Sequence, residues 1–426
     1  MKVLLIGSGG REHALAYKIA QSPKLTKLYI LPGNPGTNTL GENINIPIND
    51  FDSILSFCKS KSIELVVIGP EQPLVDGMGD FLRKSEIKVF GPNKGAAQIE
   101  GHKAFAKNLM KKNSIPSADF VEFNFDEFHC ALGYLRKSIY PLVIKADGLA
   151  AGKGVLICNN FSEAEIALDE IFNKKVFGVS GNKIIIEEFL TGEEASIFAI
   201  TDGDNYVCLP SAQDHKRIGD NDTGKNTGGM GAYSPAPIII PSLLSEIEEK
   251  IISPTLTAMR KENKKFNGCL YCGLMITSDG PKVIEFNCRF GDPETQAVLP
   301  LLKGDFLELL YSAAKGNINK NSVTYKNGAA VCIVAASKGY PDSYNKGYEI
   351  DGLGKVEKDI IVFHAGTKFS DNKIVTNGGR VLGVTAVVEK NDLKLAKQKA
   401  YENLGKIYFE GMYFRNDIAD KGIRKQ

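Results

Sequence analysis

Four short apolar runs, Val3 to Ile6, Leu28 to Leu31, Leu65 to Ile68 and Lys88 to Phe90, recur near the start of the chain. Each ends in glycine, proline or both, and stretches long enough for helices separate them. Uninterrupted apolar runs of this length read as strands buried on both faces, so residues 1–102 are expected to form βαβ units around a parallel sheet, a Rossmann-like domain. Ligands of such sheets bind beyond the carboxyl ends of the strands. That edge carries Gly7-Ser8-Gly9-Gly10, Pro32-Gly33-Asn34-Pro35-Gly36 and Gly69-Pro70-Glu71.

From about 102 to 135, polar and apolar residues mix at helical spacing. Strand pairs are then expected at 141–145 with 154–158, 184–189 with 195–200, and 270–276 with 281–288, giving a mixed α/β unit over 103–315. Residues 316–328, rich in Lys, Asn and Ser, read as a linker. Strands at 329–336 and 381–388 and a closing helix at 393–404 predict a small mixed β/α domain over 329–426. The fold class is therefore α/β and multi-domain.

Composition narrows the function classes. With 426 residues, 43% apolar and 24% charged, the chain is globular and long enough for several cores. Its 52 basic and 50 acidic residues leave a net charge of +2, with no bias toward nucleic acid or an anionic membrane. No apolar run approaches the ~20 residues of a membrane span or forms a signal peptide, which points to the cytoplasm. The 8 cysteines are scattered, as buried thiols of a reducing compartment are. Cys269-Leu-Tyr-Cys272 supplies half a zinc site on a segment that reads as a strand, where residues three apart face opposite ways.

The chemistry lies in a few local patterns. Gly7-Ser8-Gly9-Gly10 follows a strand and opens a helix, where backbone N–H groups can collect a phosphate; alternatively, the glycines serve only a tight turn. A dinucleotide fingerprint is disfavoured, because Glu12 stands where its third glycine belongs and Leu31-Pro32-Gly33 offers no acid for a ribose. Lys145-Ala-Asp-Gly148-Leu-Ala-Ala-Gly152-Lys153-Gly154 joins two strands and so is not a Walker A loop. It could fold over a triphosphate as a lid or simply be an exposed hairpin with two lysines. Glu187-Glu188-Phe189-Leu190, followed by Glu193 and Glu194, is an acidic strand end and turn, fit for adenine and ribose or merely solvated. Glu285, Asn287 and Arg289 alternate along a strand and share a face. Two oxygen ligands there suit Mg²⁺, with the arginine for phosphoryl oxygens; a half-exposed strand with an ion pair is the bland alternative. Gln213-Asp214-His215-Lys216-Arg217 opens a loop with glycines at 219, 224, 228, 229 and 231, the type of segment that serves as a binding loop or lid.

In this order, a strand lysine with a glycine hairpin, an acidic strand turn and a Glu-x-Asn-x-Arg strand, the segments resemble the ATP-grasp superfamily. The longer words Gly7-Ser-Gly-Gly-Arg-Glu-His-Ala14, Gly69-Pro-Glu71, Lys145 to Gly154, Ser211 to Arg217, Asn226-Thr-Gly-Gly-Met-Gly-Ala-Tyr-Ser-Pro235 and Glu285 to Thr295 resemble the phosphoribosylamine-glycine ligases over the whole chain. The resemblance implies a pre-ATP-grasp domain, an ATP-grasp domain and a small C-terminal domain. It also implies ATP-dependent joining of glycine to 5-phosphoribosylamine, the second step of purine synthesis, with Mg²⁺ or Mn²⁺ as cofactor. The fused downstream purine enzymes of some relatives are not expected.

The implied roles are Glu285 and Asn287 for metal, and Lys103 and Lys145, with the hairpin Gly152, Lys153 and Gly154, for ATP phosphates. Glu187, Glu188, Phe189 and Leu190 are implied for the adenine hinge, and Glu194 for ribose. Lys145 and Arg289 are expected to neutralise charge during catalysis. Gly9, Gly10, Glu71, Asp214, Lys216 and Arg289 are expected at the amine substrate. The expected partners are small molecules only, with no nucleic acid or membrane, and the expected state is a monomer or weak homodimer. The rivals are another ATP-grasp carboxylate-amine ligase, a nicotinamide dehydrogenase and an inactive nucleotide-binding module.

Overall fold

The computed structural model describes residues 1–150, 154–325 and 327–426. The apolar runs at the start form the strands Lys2–Gly7, Lys27–Pro32, Leu65–Ile68 and Lys88–Phe90. Together with Glu42–Asn43 they make a sheet in which every pairing is parallel. Helices cover both faces, as continuous apolar strands require. The strand order is Glu42–Asn43, Lys27–Pro32, Lys2–Gly7, Leu65–Ile68, Lys88–Phe90, so the order reverses at Lys2–Gly7, whose carboxyl end is the glycine turn.

Two antiparallel sheets follow. One runs Phe120–Asn124, Lys183–Glu188, Leu142–Ala146, Val155–Cys158; the other runs Tyr206–Cys208, Glu193–Thr201, Gly268–Thr277, Gly280–Asn287. The expected pairing of 184–189 with 195–200 is therefore wrong: the two segments lie in different sheets. The chain crosses between them at Leu190–Gly192, where a Cβ on Gly192 would sit 2.2 Å from the Ile276 carbonyl oxygen. Glu193–Thr201 pairs along its whole length with Gly268–Thr277, a longer ladder than the six-residue strand before it could offer. A strand also interrupts the helical stretch expected at 102–135, because Phe120–Asn124 pairs with Lys183–Glu188 between the helices Lys103–Lys112 and Phe128–Leu135.

The C-terminal sheet runs Gln213–Asp214, Gly231–Ser234, Ala329–Ser337, Arg380–Val388, Ile360–His364, and the helix Leu393–Leu404 packs on it. Two of its strands come from the glycine-rich stretch read as a loop. Tyr233 and Met230 are fully buried in its core, which explains why that stretch is ordered. Residues 316–328 are not a simple linker. Val323–Tyr325 pairs with Leu302–Gly304, and the Ile318 N–H donates to Asp202 at 2.9 Å. Cys269 and Cys272 point into different cores, so they cannot share a metal. Among the described residues no helix is long and apolar enough to cross a membrane.

Candidate active site

Lys145 lies near the end of Leu142–Ala146, a strand buried along its length. A buried ammonium needs partners. Lys145 Nζ finds Glu187 Oε2 at 2.9 Å from the neighbouring strand and the Ile284 carbonyl oxygen at 3.1 Å from the other sheet. Glu187 also lies 3.7 Å from Lys107 Nζ, which donates to the Ala118 carbonyl at 2.6 Å. Burial pulls the Lys107 pKa down to about 8. One helical turn earlier, Lys103 Nζ donates to the Gly148 carbonyl at 3.0 Å, and burial lowers its pKa while Glu285 and Asp147 oppose the shift. Lys103 and Lys145 thus flank the root of the glycine hairpin, with Gly148 N–H donating to the Ser180 carbonyl at 3.2 Å.

Glu285 and Asn287 stand opposite Gly273 and Tyr271 across the ladder, and the register slips so that Ile284 has no partner there. That bulge presents the Ile284 carbonyl to Lys145. The Asn287 amide nitrogen, in the orientation that satisfies its neighbours, donates to Glu100 Oε1 and to the Phe286 carbonyl, each at 3.1 Å. This turns the amide oxygen to the other side, as an acceptor. Partial burial works against ionisation of Glu285, but Lys216, Lys145, Lys103 and Arg289 outweigh it and hold its pKa below the ordinary value. An ionised carboxylate beside an amide oxygen is a donor set that fits a hard divalent cation completed by phosphates and water.

Lys216 Nζ lies 2.6 Å from Glu194 and 4.0 Å from Glu285. Burial opposes its charge, yet Glu194, Asp214 and Glu285 raise its pKa well above the usual lysine value. Asp214 moves the other way for a carboxyl: burial, together with Glu294, Glu194 and Glu285, pushes its pKa well above the ordinary value against the pull of Lys216. The structure therefore gathers Lys216, Asp214 and Glu194 around the metal-type strand.

The third cluster lies at the edge of the parallel sheet. Arg289 pairs with Glu71 at 3.1 Å and with the buried Glu100 at 3.0 Å. Burial resists ionisation of Glu71, but Arg289 and Arg11 win and bring its pKa to about 2. The glycine turn already holds an anion of its own. Glu12 is 2% exposed, accepts the Gly9 N–H at 2.7 Å and pairs with Arg11 at 2.6 Å. A Cβ on Gly7, at φ +126°, would sit 2.4 Å from Glu12 Cγ, and one on Gly69 2.2 Å from Glu12 Oε1. Gly7 and Gly69 make room for Glu12, which takes up the Gly9 N–H, so the turn needs glycine for backbone reasons of its own. Beside the turn, a cavity of about 430 Å³ is lined by Ser8, Gly33, Asn34, Ala365, Thr367 and Lys368, among others.

Of the expected site residues, Lys103, Lys145, Glu187, Glu194, Asp214, Lys216, Glu285 and Asn287 converge on the junction of the two antiparallel sheets. Glu71 and Arg289 lie at its border with the parallel sheet. The Glu187 carboxylate is taken up by lysines; Glu188 and Phe189 are exposed, and Glu188 accepts the Asp119 N–H at 3.2 Å. Gly154 closes the hairpin, its carbonyl accepting from Ala146 N–H at 2.9 Å. Gly152 and Lys153 lie outside the described residues. Lys107 and Glu100 escaped the sequence reading, although Lys107 follows Lys103 at helical spacing.

Three family profiles tile the chain: phosphoribosylglycinamide synthetase N domain over residues 1–100, its ATP-grasp (A) domain over 101–295 and its C domain over 330–421. A protein of Caldanaerobacter subterraneus subsp. tengcongensis named phosphoribosylamine--glycine ligase is 49% identical over 98% of this chain and 99% of its own length. One of the same name from Vibrio parahaemolyticus is 47% identical over 100% of this chain and 99% of its own. The crystal structure of the Thermotoga maritima phosphoribosylamine--glycine ligase superposes with a TM-score of 0.85 at 37% identity, covering 98% of this chain and 100% of that one. A biotin carboxylase domain from Hydrogenobacter thermophilus, at a TM-score of 0.71 and 15% identity over 100% of this chain and 98% of that one, shares the fold. With lysines and metal-type oxygens facing one another across the same junction, the chain belongs to the phosphoribosylglycinamide synthetase family, the ATP-grasp phosphoribosylamine–glycine ligases.

Proposed function

We propose that the protein joins glycine to 5-phosphoribosylamine at the expense of ATP, giving glycinamide ribonucleotide, ADP and phosphate. The observation that carries this reading is the contact of Lys145 with the strand of Glu285 and Asn287, which makes one cleft of the lysine hairpin and the metal-type strand. A carboxylate is a poor acylating agent. Transfer of the γ-phosphoryl group from ATP to a glycine carboxylate oxygen releases ADP and leaves glycyl phosphate. The amine nitrogen then attacks its carbonyl carbon, the carbon–oxygen bond to phosphate breaks, and the nitrogen loses a proton.

No enzyme nucleophile is needed, so catalysis rests on positioning and charge. Lys103, Lys145 and the hairpin residues Gly152, Lys153 and Gly154 hold the ATP phosphates, and Lys145 and Arg289 compensate charge as it moves. Glu187, Glu188, Phe189 and Leu190 border the adenine, Glu187 through its backbone because its carboxylate holds Lys145. Glu194 serves the ribose. Glu285 and Asn287 would hold Mg²⁺ or Mn²⁺, which when bound neutralises phosphoryl oxygens. Gly9, Gly10, Glu71, Asp214, Lys216 and Arg289 border the amine substrate, and the cavity beside the glycine turn, with Lys368 as its cation, takes the phosphate end. The protein works in the cytoplasm as a monomer or weak homodimer on small molecules, without nucleic-acid or membrane partners.

The test is ADP release with Mg-ATP, ribose 5-phosphate plus ammonia as a source of the amine, and a panel of amino acids. Release that requires both glycine and the amine is expected. Release with glycine omitted, or equal release with another amino acid, refutes the assignment and favours a different ATP-grasp ligase.

A further inference from the structure

We propose that Arg415, near the end of the chain, is a positioning residue for Lys216. The inference rests on placing Lys216 in the binding machinery. Arg415 is fully buried, and the four hydrogen bonds of its guanidinium among the described residues go to the hairpin after Lys216 or to Asp417, which shares the task. Its Nε and Nη2 hold Asp417 at 2.7 and 2.6 Å, and Nη1 donates to Asp222 at 2.9 Å and to the Arg217 carbonyl at 3.0 Å. Arg217 is the residue next to Lys216.

Apart from the Arg415 fork, the hairpin of Arg217–Gly219 and Thr223–Asn226 is held by the Tyr413 hydroxyl, which donates to the Ile218 carbonyl at 2.9 Å, and by an exposed pair of Lys225 with Asp342 at 2.7 Å. Its Ile218 side chain packs against the C-terminal core. Its tip carries two consecutive non-glycine residues with left-handed backbones, Asn221 at φ +56° and Asp222 at φ +55°. Such conformations persist when their surroundings impose them. Here the C-terminal segment does so. Asp417 accepts the Asn221 N–H at 2.8 Å, Asp220 accepts the Asn416 N–H at 2.8 Å, and Lys421 pairs with Asp222. On the inner side, the Lys216 carbonyl accepts from the Thr227 N–H at 2.7 Å, and its ammonium reaches Glu194 and Glu285. One buried fork therefore ties residues 415–421 to a lysine about 200 positions earlier, and through it to the strand of the metal-type ligands. The planar fork is what allows three acceptors to be held at once.

The test is a double-mutant cycle of Arg415→Lys, which keeps the charge and loses the fork, with Lys216→Ala. Arg415→Lys alone is expected to lower kcat/KM about tenfold, and in the Lys216→Ala background to lower it less than about twofold, because the residue through which it acts is gone. Losses that multiply in the double variant overturn the proposal. If Arg415→Lys does not fold, the same cycle with Asp220→Ala, which removes the Asn416 contact at the surface, is read by the same criterion. Independently of activity, amide exchange at Thr227 in Arg415→Lys is expected to quicken about tenfold with the melting temperature of the whole chain little changed; unaltered exchange overturns the proposal. Wild-type protein that lacks glycine-dependent ADP release refutes the functional reading, while the exchange measurement still decides the role of Arg415.

Discussion

Lys145 Nζ donates to the carbonyl oxygen of Ile284 at 3.1 Å, the residue that the ladder skips immediately before Glu285. A phosphate-type lysine and a metal-type carboxylate 140 positions apart are thereby fixed to one backbone point.

Lys145→Met therefore removes both a cation of the cleft and the nearest partner of buried Glu187, leaving Lys107 at 3.7 Å. Loss of one preorganised charge-stabilising donor is expected to lower kcat about 10²- to 10³-fold. The half-paired buried carboxylate is expected to cost about 3 kcal/mol in urea unfolding. Lys145→Arg is not expected to rescue turnover, since a wider fork cannot enter the space between Glu187 and the Ile284 carbonyl. Turnover near the wild-type rate in either variant contradicts the site.

Glu285→Gln keeps the shape and removes the charge from the donor set. Turnover is expected to fall more than about 100-fold, because charge on the phosphoryl group is no longer offset through a bound ion. Mn²⁺ binding in the presence of ATP, followed by electron paramagnetic resonance, is expected to weaken at least about tenfold. Unchanged Mn²⁺ affinity would move the metal elsewhere.

Glu71 gives a pH dependence of definite sign. Its pKa is about 2 in the folded protein against 4.5 for the ordinary side chain, so its contribution is complete above pH 4.5 and lost as the pH falls toward 2. Glu71→Gln is expected to cost roughly 2 kcal/mol at pH 7, a figure reduced for partial exposure. The gap between variant and wild type should narrow as the pH falls below 4.5, measured by denaturant midpoints.

His215 titrates in the opposite sense for its charge. Its ring is 1% exposed, neither nitrogen has a hydrogen-bond partner among the described residues, and burial lowers its pKa from 6.5 to about 4. The unfolded chain binds a proton there between pH 6.5 and 4 that the folded one refuses, so stability falls as the pH drops through that window. His215→Phe, which keeps the ring and removes the titration, should flatten the slope of unfolding free energy against pH by about 1.4 kcal/mol per unit over that range. Parallel slopes for variant and wild type would show that the imidazole is not held neutral.

The local signals were legible where one segment decides its own fate. Four of the five strands of the parallel sheet fall within a residue or so of the apolar runs, the short edge strand Glu42–Asn43 having no such run, and Leu393–Leu404 matches the expected closing helix. The same reading mispaired 184–189 with 195–200 and took 316–328 for a linker, because strand pairing is set by ladders elsewhere in the chain. It left the glycine turn open between anion cradle and tight turn, and could not foresee that Glu12 takes up the Gly9 N–H and the space beside Gly7 and Gly69.

The sequence by itself determined the apolar strands of the parallel sheet, the closing helix, and which residues are the candidates for phosphate, metal and carboxylate chemistry. These follow from apolar periodicity and from side-chain type, both local properties. The tertiary structure alone decided the partners: Glu187 for Lys145, Glu194 for Lys216, Glu100 for Asn287 and Arg289, and the Arg415 fork for the hairpin after Lys216. Burying a charge requires an opposite charge or a dipole, but only the path of the whole chain determines which one stands within reach.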